Sequence, residues 1–574
     1  MPMSRPIRPS TGSLTWWSGL GKRLVTWRSR RRSSPGWTAA VALIVAVMVL
    51  PVATTLFLAL GAQGDNWRHL AATVLPAVLQ QTILLMAGVT IVTIVVGTLS
   101  AWIVTMYRFP GHAIVDRLLV LPLAMPTYII AYAYVDLLDF TGPVQSSLRA
   151  LTGWQSPADY WFPNVRSTSG AILILSSTLY PYVYLSARAS FVQQSVCVLE
   201  VARTLGQTPW GSFRWVALPL AKPALVAGVT LALMETLNDL GAVQHLGVET
   251  LSASIYATWL QRSNLPGAAQ IAAVALLMVG ALFWAERAFR GGGRVHATTG
   301  RLKAIPFADL NGWAAVAALA VCLVPALVGF GIPFAMLVAN ASHHLASALE
   351  QGFWRAALNS LMLAAIAAAA TVVLGVVLAY ARRVAPNAFT RPAVRVAGLG
   401  YALPGTVLAL GLLIPLAQFD NWFDGHMRAL FGISTGLLIS GTLTMLVLAY
   451  CVRFLAVAHG TLEAGLERIS PNLDAAARTL GESALSALRR VHLPLLVPAL
   501  ATAGLLVFVD AMKELPATLL LRPFNFETLS THVYALASLE QVEAASVGAV
   551  AIVLAGLVPV LLLHKAVADG RVGG

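Results

Sequence analysis

The chain has 574 residues, of which 58% are hydrophobic and 11% charged. That balance excludes an ordinary water-soluble globular protein and fits one that crosses lipid many times. The formal net charge of +14 does not indicate a nucleic-acid binder. Its Lys and Arg are distributed by membrane side, which leaves no basic surface for a polyanion.

In chain order, residues 1–36 are polar and rich in Arg, Ser and Gly, with basic residues running from Arg5 to Arg32. This composition predicts a flexible cytosolic tail. Apolar runs then recur, each long enough to cross a hydrocarbon core of about 30 Å. Lipid offers backbone groups no partners, so the runs are expected to be helices. They are continuous rather than alternating, which excludes a barrel. Six spans are predicted in a first repeat, 37–288: 37–60, 80–106, 116–138, 169–192, 222–244 and 267–288. A Gly-rich, basic linker follows over 289–311. Six more spans are predicted in a second repeat, 312–565: 312–339, 356–381, 396–418, 432–456, 496–519 and 541–564, before a short tail at 566–574. Pro126 and Pro404 interrupt the third and ninth spans. The expected fold class is all-α and polytopic, with about twelve membrane helices in two parallel six-helix repeats.

With sides alternating from a cytosolic N-terminus, most of the 38 Lys and Arg fall on the cytosolic side. This is the asymmetry of a bacterial inner-membrane protein with both termini cytosolic. Lys513 is left inside a span. Cys197, Cys322 and Cys451 offer neither a disulfide framework nor a CxxC metal site.

The two halves repeat one plan. From Ala202 to Leu225, 13 of 24 positions match Ala477 to Leu500 without a gap. Thr82, Gly97 and Pro126 align with Ser360, Gly375 and Pro404, and "ETLSASIY" from Glu249 aligns with "ETLSTHVY" from Glu527. A steady offset over such a distance indicates duplication. Six spans per half is an even number, so both halves share one orientation and are related by an axis near the membrane normal.

The strongest repeated passage is polar and lies between spans four and five, and again between ten and eleven. It predicts a short helix, a turn at Gly206 or Gly481, and a second short amphipathic helix. Pro219 or Pro494 then opens the next span. Such an elbow is suited to dock into a cytosolic partner. Two matched elbows are hard to reconcile with an ordinary pair of surface helices.

Charged groups inside a span are costly and mark function. Span five contains "METLNDLG" and span eleven "VDAMKELP". Glu235 aligns with Asp510, and Asp239 with Glu514. Spacing of i, i+4 predicts that each pair shares one helix face. Four acids so related can ring a central path, with Lys513 or Arg522 as neutralising groups. Carboxylates suit a hard cation and repel an anion. Tyr128, Tyr132, Tyr134, Asp136, Tyr180, Tyr182 and Tyr184 add oxygen donors in spans three and four. Outside the spans no nucleophile or acid–base constellation appears, so the chain is not expected to be an enzyme.

The elbow resembles the coupling loop of ATP-binding-cassette importer permeases, E-A-A-x-x-x-G, nine residues, then I-x-L-P. Here Glu200, Val201, Ala202, Arg203 and Gly206 are followed by nine residues, Val216, Leu218 and Pro219. The second copy reads Ala475, Ala476, Ala477, Arg478 and Gly481, then nine residues, Val491, Leu493 and Pro494. Val201 departs from the pattern, as does Ala475 in the Glu position, with Asp474 one residue early. "YPYVYLSARASF", "MPTYIIAYAYVDLLDF" and "DAMKELPATLLLRPFNFETLSTHVY" resemble the fused ferric-iron importer permeases. The resemblance implies the type I importer permease fold. It implies two copies of a cytosolic ATPase subunit that use ATP and Mg, since this chain has no phosphate-cradling G-x-x-x-x-G-K-[ST] loop. It also implies a periplasmic iron-binding protein; for such a cargo the charge pattern read above expects Glu235 and Asp510 to touch the metal in passing. No cofactor is expected on the chain itself. Related permeases carry thiamine, polyamines, phosphonates or phosphosugars, and an ion-coupled secondary transporter would also explain the intramembrane acids. At the sequence level these readings stay open.

Overall fold

A computed structural model describes residues 35–61, 64–193, 204–290, 308–348 and 352–569. Among the described residues, 11 helices are long and apolar enough to cross a membrane, or up to 12 if one bent pair is a single span. The first repeat contributes α1 (Pro35–Gly61), α2 (Leu75–Met106), α3 (Thr127–Leu138), α4 (Thr168–Gln193), α5 (Leu218–Asn238) and α6 (Leu265–Arg290). The second contributes α7, in two segments Trp313–Ala326 and Ile332–Ala348, then α8 (Trp354–Val384), α9 (Gly405–Phe431), α10 (Leu443–Glu467), α11 (Leu493–Met512) and α12 (Val542–Asp569). The expected all-α polytopic class is therefore observed.

Proline decides two of the interruptions. Proline has no N–H and pushes its preceding residue out of the helical region. Met125 and Leu403 are accordingly extended, with ψ of 117° and 125°. In the first repeat the chain bends by 98° at this break. The ninth and tenth spans lie further along than hydropathy alone predicts. Residues 432–442 are apolar enough to suggest a helix, but Gly432, Gly436 and Gly441 all have positive φ. They form a loop held by carboxylates at the end of α9. Asp420 accepts from the backbone of Ile439 and Ser440, and Asp424 from Thr435 and Gly436. The shift moves Arg453 from a predicted span edge to the interior of α10.

The duplicated positions make duplicated contacts. Thr82 Oγ1 accepts from the backbone N–H of Leu251 at 3.1 Å, and Ser360 Oγ from that of Leu529 at 2.6 Å. Thr250 and Thr528, from the repeated "ETLS", each cap the helix that follows. The helix-packing contact recurs too. A Cβ at Gly97 would sit 2.8 Å from Val183 Cβ, and one at Gly375 would sit 3.0 Å from Leu462 Cδ1. Each glycine lets its helix lie closely against α4 or α10.

The first helix of each half packs against both halves. α1 lies on α6, α8 and α9, where Asn387 donates to Thr38 at 3.1 Å and the Trp37 and Tyr380 rings meet edge to face at 5.2 Å. α7 lies along α12 and reaches the first repeat. There Tyr134 donates to the carbonyl of Val328 at 2.6 Å and Asn340 to Asp136 at 3.2 Å. The two repeats are thus exchanged at their first helices, and burial of each depends on the other. Of the predicted linker, 291–307 lie outside the described residues. Ala308–Asp309 pair in parallel with Tyr107–Arg108 at the end of α2.

Candidate functional site

α5 and α11 stop earlier than their apolar runs suggest, at Asn238 and Met512. Asp239 and Glu514 therefore do not share a helix face with Glu235 and Asp510, contrary to the i, i+4 expectation. Each lies past the helix end and holds the short helix that follows. Asp239 Oδ1 accepts from Ala242 and Val243 N–H at 3.0 and 3.1 Å, and Glu514 Oε1 from Ala517 N–H at 3.1 Å. Breaking the helices turns the chain back on itself, and all four acids come to line one cavity of about 100 Å³. About 24 Å of helix separates Pro219 from Glu235, so the cavity sits within the membrane thickness.

The cavity lies on the axis of the duplication. Its walls include Glu235 and Asp510, Asn238 and Lys513, Asp239 and Glu514, and Thr178 and Arg453, pairs that are each 275 positions apart, the offset of the repeated elbow. Bonds between the halves close it. Tyr401 donates to Glu235 Oε1 at 2.7 Å; Asn238 Oδ1 accepts from Gly405 N–H at 2.7 Å and from Arg453 at 2.8 Å. Arg453 Nε also lies 3.0 Å from Glu514 Oε2, with both side chains buried. Lys513 Nζ lies 2.9 Å from Asp510 Oδ1. Thr127 donates to Asp239.

Some sequence expectations meet here and some do not. Tyr128 and Tyr182 line the cavity, whereas Tyr134 and Asp136 bond to α7 and Tyr184 donates to Asp116 at 2.5 Å. Arg522 pairs with Glu527 at 3.0 Å and neutralises none of the four acids. The cation that does so, besides Lys513, is Arg453. An arginine in an apolar helix is itself a signal, but the misplaced span edge hid it. Tyr401 and Asn238 carried no sequence signal beyond lying near Pro404 and Glu235. Among the described residues no group of three or more His, Cys, Asp or Glu is placed to hold a metal ion.

The elbows are the second feature. Glu200, Ala202 and Arg203 lie outside the described residues. Gly206 and Gly481 have φ of +81° and +82°, the left-handed region that glycine adopts at little cost. Thr208 and Ser483 then cap matching short helices, Pro209–Ser212 and Ala484–Ala487. A wide helical turn follows in each, Phe213–Ala217 and Leu488–His492, before Pro219 and Pro494 in the first turns of α5 and α11. Leu205 and Leu480, one residue before each glycine, are 76% and 83% exposed. The matching exposure repeats at the same position in both halves.

In the second elbow, Ala475 and Ala477 lie on the helix Pro471–Thr479 with Arg478. The carboxylate of Asp474 points inward. Arg383 Nε donates to it at 2.7 Å and His492 Nε2 lies 2.9 Å from it. Arg383 also donates to the carbonyls of Leu466 and Ile469 at 2.6 and 2.9 Å. Asp474 therefore ties the elbow to the end of α8 and to the turn before α11. Arg383→Ala is expected to raise proteolytic cleavage within 470–483 in the detergent-purified protein several-fold, as a half-buried hydrogen bond between charged groups, worth about 1.5 kcal/mol, is lost. Unchanged cleavage would show that the tether contributes nothing to elbow order.

Two exchanged six-helix repeats, a charged cavity on their axis and a matched elbow on each define a class: the membrane core of a transport system. The chain belongs to the family of binding-protein-dependent transport system inner membrane components, whose signature matches residues 93–291 and 371–571. It is 27% identical to the Fe(3+)-transport system permease protein FbpB 2 of Haemophilus influenzae over 492 residues, 85% of this chain and 89% of that protein. It is 30% identical to the sulfate transport system permease protein CysT of Escherichia coli over 261 residues, 43% of this chain and 90% of that protein. It is also 28% identical to the molybdenum transport system permease protein ModB of Escherichia coli over 34% of this chain and 86% of that protein. The chain is a multi-pass importer permease of the ATP-binding-cassette class. That membership replaces the ion-coupled secondary transporter left open by the sequence.

Proposed function

We propose that this permease passes ferric iron from a periplasmic iron-binding protein into the cytosol of a bacterium, across the inner membrane. Two cytosolic ATPase subunits, which use ATP and Mg, engage the elbows around Gly206 and Gly481, and both termini of the chain lie on that side. ATP binding moves the elbows and opens the cavity alternately to the two faces, as differential contacts in two states require. Glu235 and Asp510 meet the ion in passing, while Asp239 and Glu514 hold the backbone turns that shape the path.

The observation that carries the cargo is the convergence of four carboxylates, against two cations, on one cavity at the repeat axis. Such a wall attracts a cation and disfavours sulfate or molybdate, which call for Arg and Lys or for helix N-termini. The similarity to the iron permease runs through both repeats, and the sulfate and molybdenum permeases, matched over 90% and 86% of their own lengths, each correspond to less than half of this chain.

The test is uptake of radioactive iron into vesicles carrying the permease with its ATPase and loaded carrier. Glu235→Ala with Asp510→Ala is expected to lower uptake at least about tenfold, an effect of 1.4 kcal/mol or more on passage. Undiminished iron uptake would remove these acids from the path. Transport of an oxyanion or an organic ligand in place of iron would overturn the cargo.

A further inference from the structure

The cavity is symmetric in its acids and lopsided in its cations. Glu235 and Asp239 in the first repeat are satisfied by neutral donors, Tyr401, Thr127 and backbone N–H groups. Asp510 and Glu514 in the second are satisfied by Lys513 and Arg453. The equivalents of those two cations in the first repeat are Asn238 and Thr178. The cations also differ from each other. Arg453 is held on Glu514, Asn238 and the carbonyl of Leu403, and its side chain is 4% exposed. Lys513 has one ion-pair partner, Asp510, three residues back, and its side chain is 28% exposed beside the cavity. Arg453 is a brace between the halves held at three points, whereas among the described residues Lys513 is paired with Asp510 alone, at the cavity wall.

We propose that the Lys513 ammonium is a tethered stand-in for the cargo cation, which covers Asp510 until a more highly charged ion displaces it. This rests on the cation-import reading above. Coulomb attraction scales with charge, so a trivalent ion at the same distance gains about three times the attraction to each carboxylate that an ammonium does. It also draws on Glu235, across the cavity. An alkali ion carries the same charge as Lys513 but lacks the tether, which gives the lysine a high effective concentration at Asp510. Lys513 thereby excludes abundant monovalent ions from the path and admits multivalent ones. It is a specificity-determining residue, and its tether is one helical turn.

Rubidium binding to the purified full-length permease tests this without iron. The wild type is expected to bind none above background, and so is Lys513→Arg, which keeps the cation. Lys513→Met is expected to bind one radioactive rubidium ion per chain, and Lys513→Met with Asp510→Asn to lose it. Lys513→Gln gives the same reading if the methionine variant does not insert. No rubidium on either neutral variant, or equal binding with and without Asp510, overturns the proposal. In vesicles with ATPase and loaded carrier, exchange of N-methylglucamine for potassium should lower iron uptake by Lys513→Met about tenfold and leave the wild type unchanged. An equal response in the two proteins also overturns it. Rubidium binding as expected, with no iron uptake by the wild-type complex, removes the iron reading alone.

Discussion

Replacing Gly206 and Gly481 together with valine is expected to leave the permease inserted and folded while uptake falls on the order of a hundredfold. Both glycines hold φ near +80°, and around each a Cβ would meet open space. The substitution therefore meets no clash; its cost is backbone strain, roughly 1–2 kcal/mol or more at each site for a β-branched residue. The chain relieves that strain by leaving the left-handed region, which redirects the short helices that follow. Misplacing a working group by about 1 Å costs around a hundredfold in well-aligned systems. On the proposed coupling role, ATP hydrolysis then ceases to follow carrier binding. Asparagine tolerates positive φ better than valine, so Gly206→Asn with Gly481→Asn should retain much more uptake. Paired measurements of ATP turnover and iron uptake in vesicles, with size-exclusion profiles to report insertion, check this. Tight coupling in the valine protein would mean that the elbows are not levers.

The second large effect is expected at Arg453→Met, which should lower thermal stability in detergent and abolish uptake together. Arg453 and Glu514 are 4% and 5% exposed at their side chains and lie 3.0 Å apart. Removing the guanidinium leaves a buried carboxylate without its cation, a loss of about 3–5 kcal/mol. Asn238 loses a donor as well, so one of the bonds joining the repeats goes with it. Glu514→Gln in the same chain removes the stranded charge and should recover most of the stability. The double-mutant cycle isolates the pair from the rest of the cavity. Uptake should stay low in the rescued protein, because Asn238 keeps only the backbone bond from Gly405 and the cavity has lost one of its two cations. If Arg453→Met melts with the wild type, the brace between the halves is not what holds the cavity closed.

The sequence revealed most where its signals are local. Apolar run length located the membrane helices, and Pro126 and Pro404 marked their breaks. The paired Gly206 and Gly481 announced turns that do adopt positive φ. It misled where a local signal has two meanings. Residues 432–442 are apolar, yet three glycines with positive φ and two carboxylates from α9 make them a loop. Spacing of i, i+4 put two acids on one face, yet both helices end before the second acid. The acids still meet, through a turn that periodicity does not encode.

What the sequence by itself determined is the succession of apolar membrane-length helices, the duplication, the glycine turns of the elbows and the presence of four acids in or beside those helices. Hydropathy, glycine and proline geometry, and repeated spacing act over one or two helical turns and are written in neighbouring residues. Only the tertiary structure decided which cation meets which acid, and which repeat each first helix covers. Arg453 reaches Asn238 across 215 positions and Tyr401 reaches Glu235 across 166. Contacts at that separation depend on how whole helices pack, and the exchange of α1 and α7 between the halves fixes that packing.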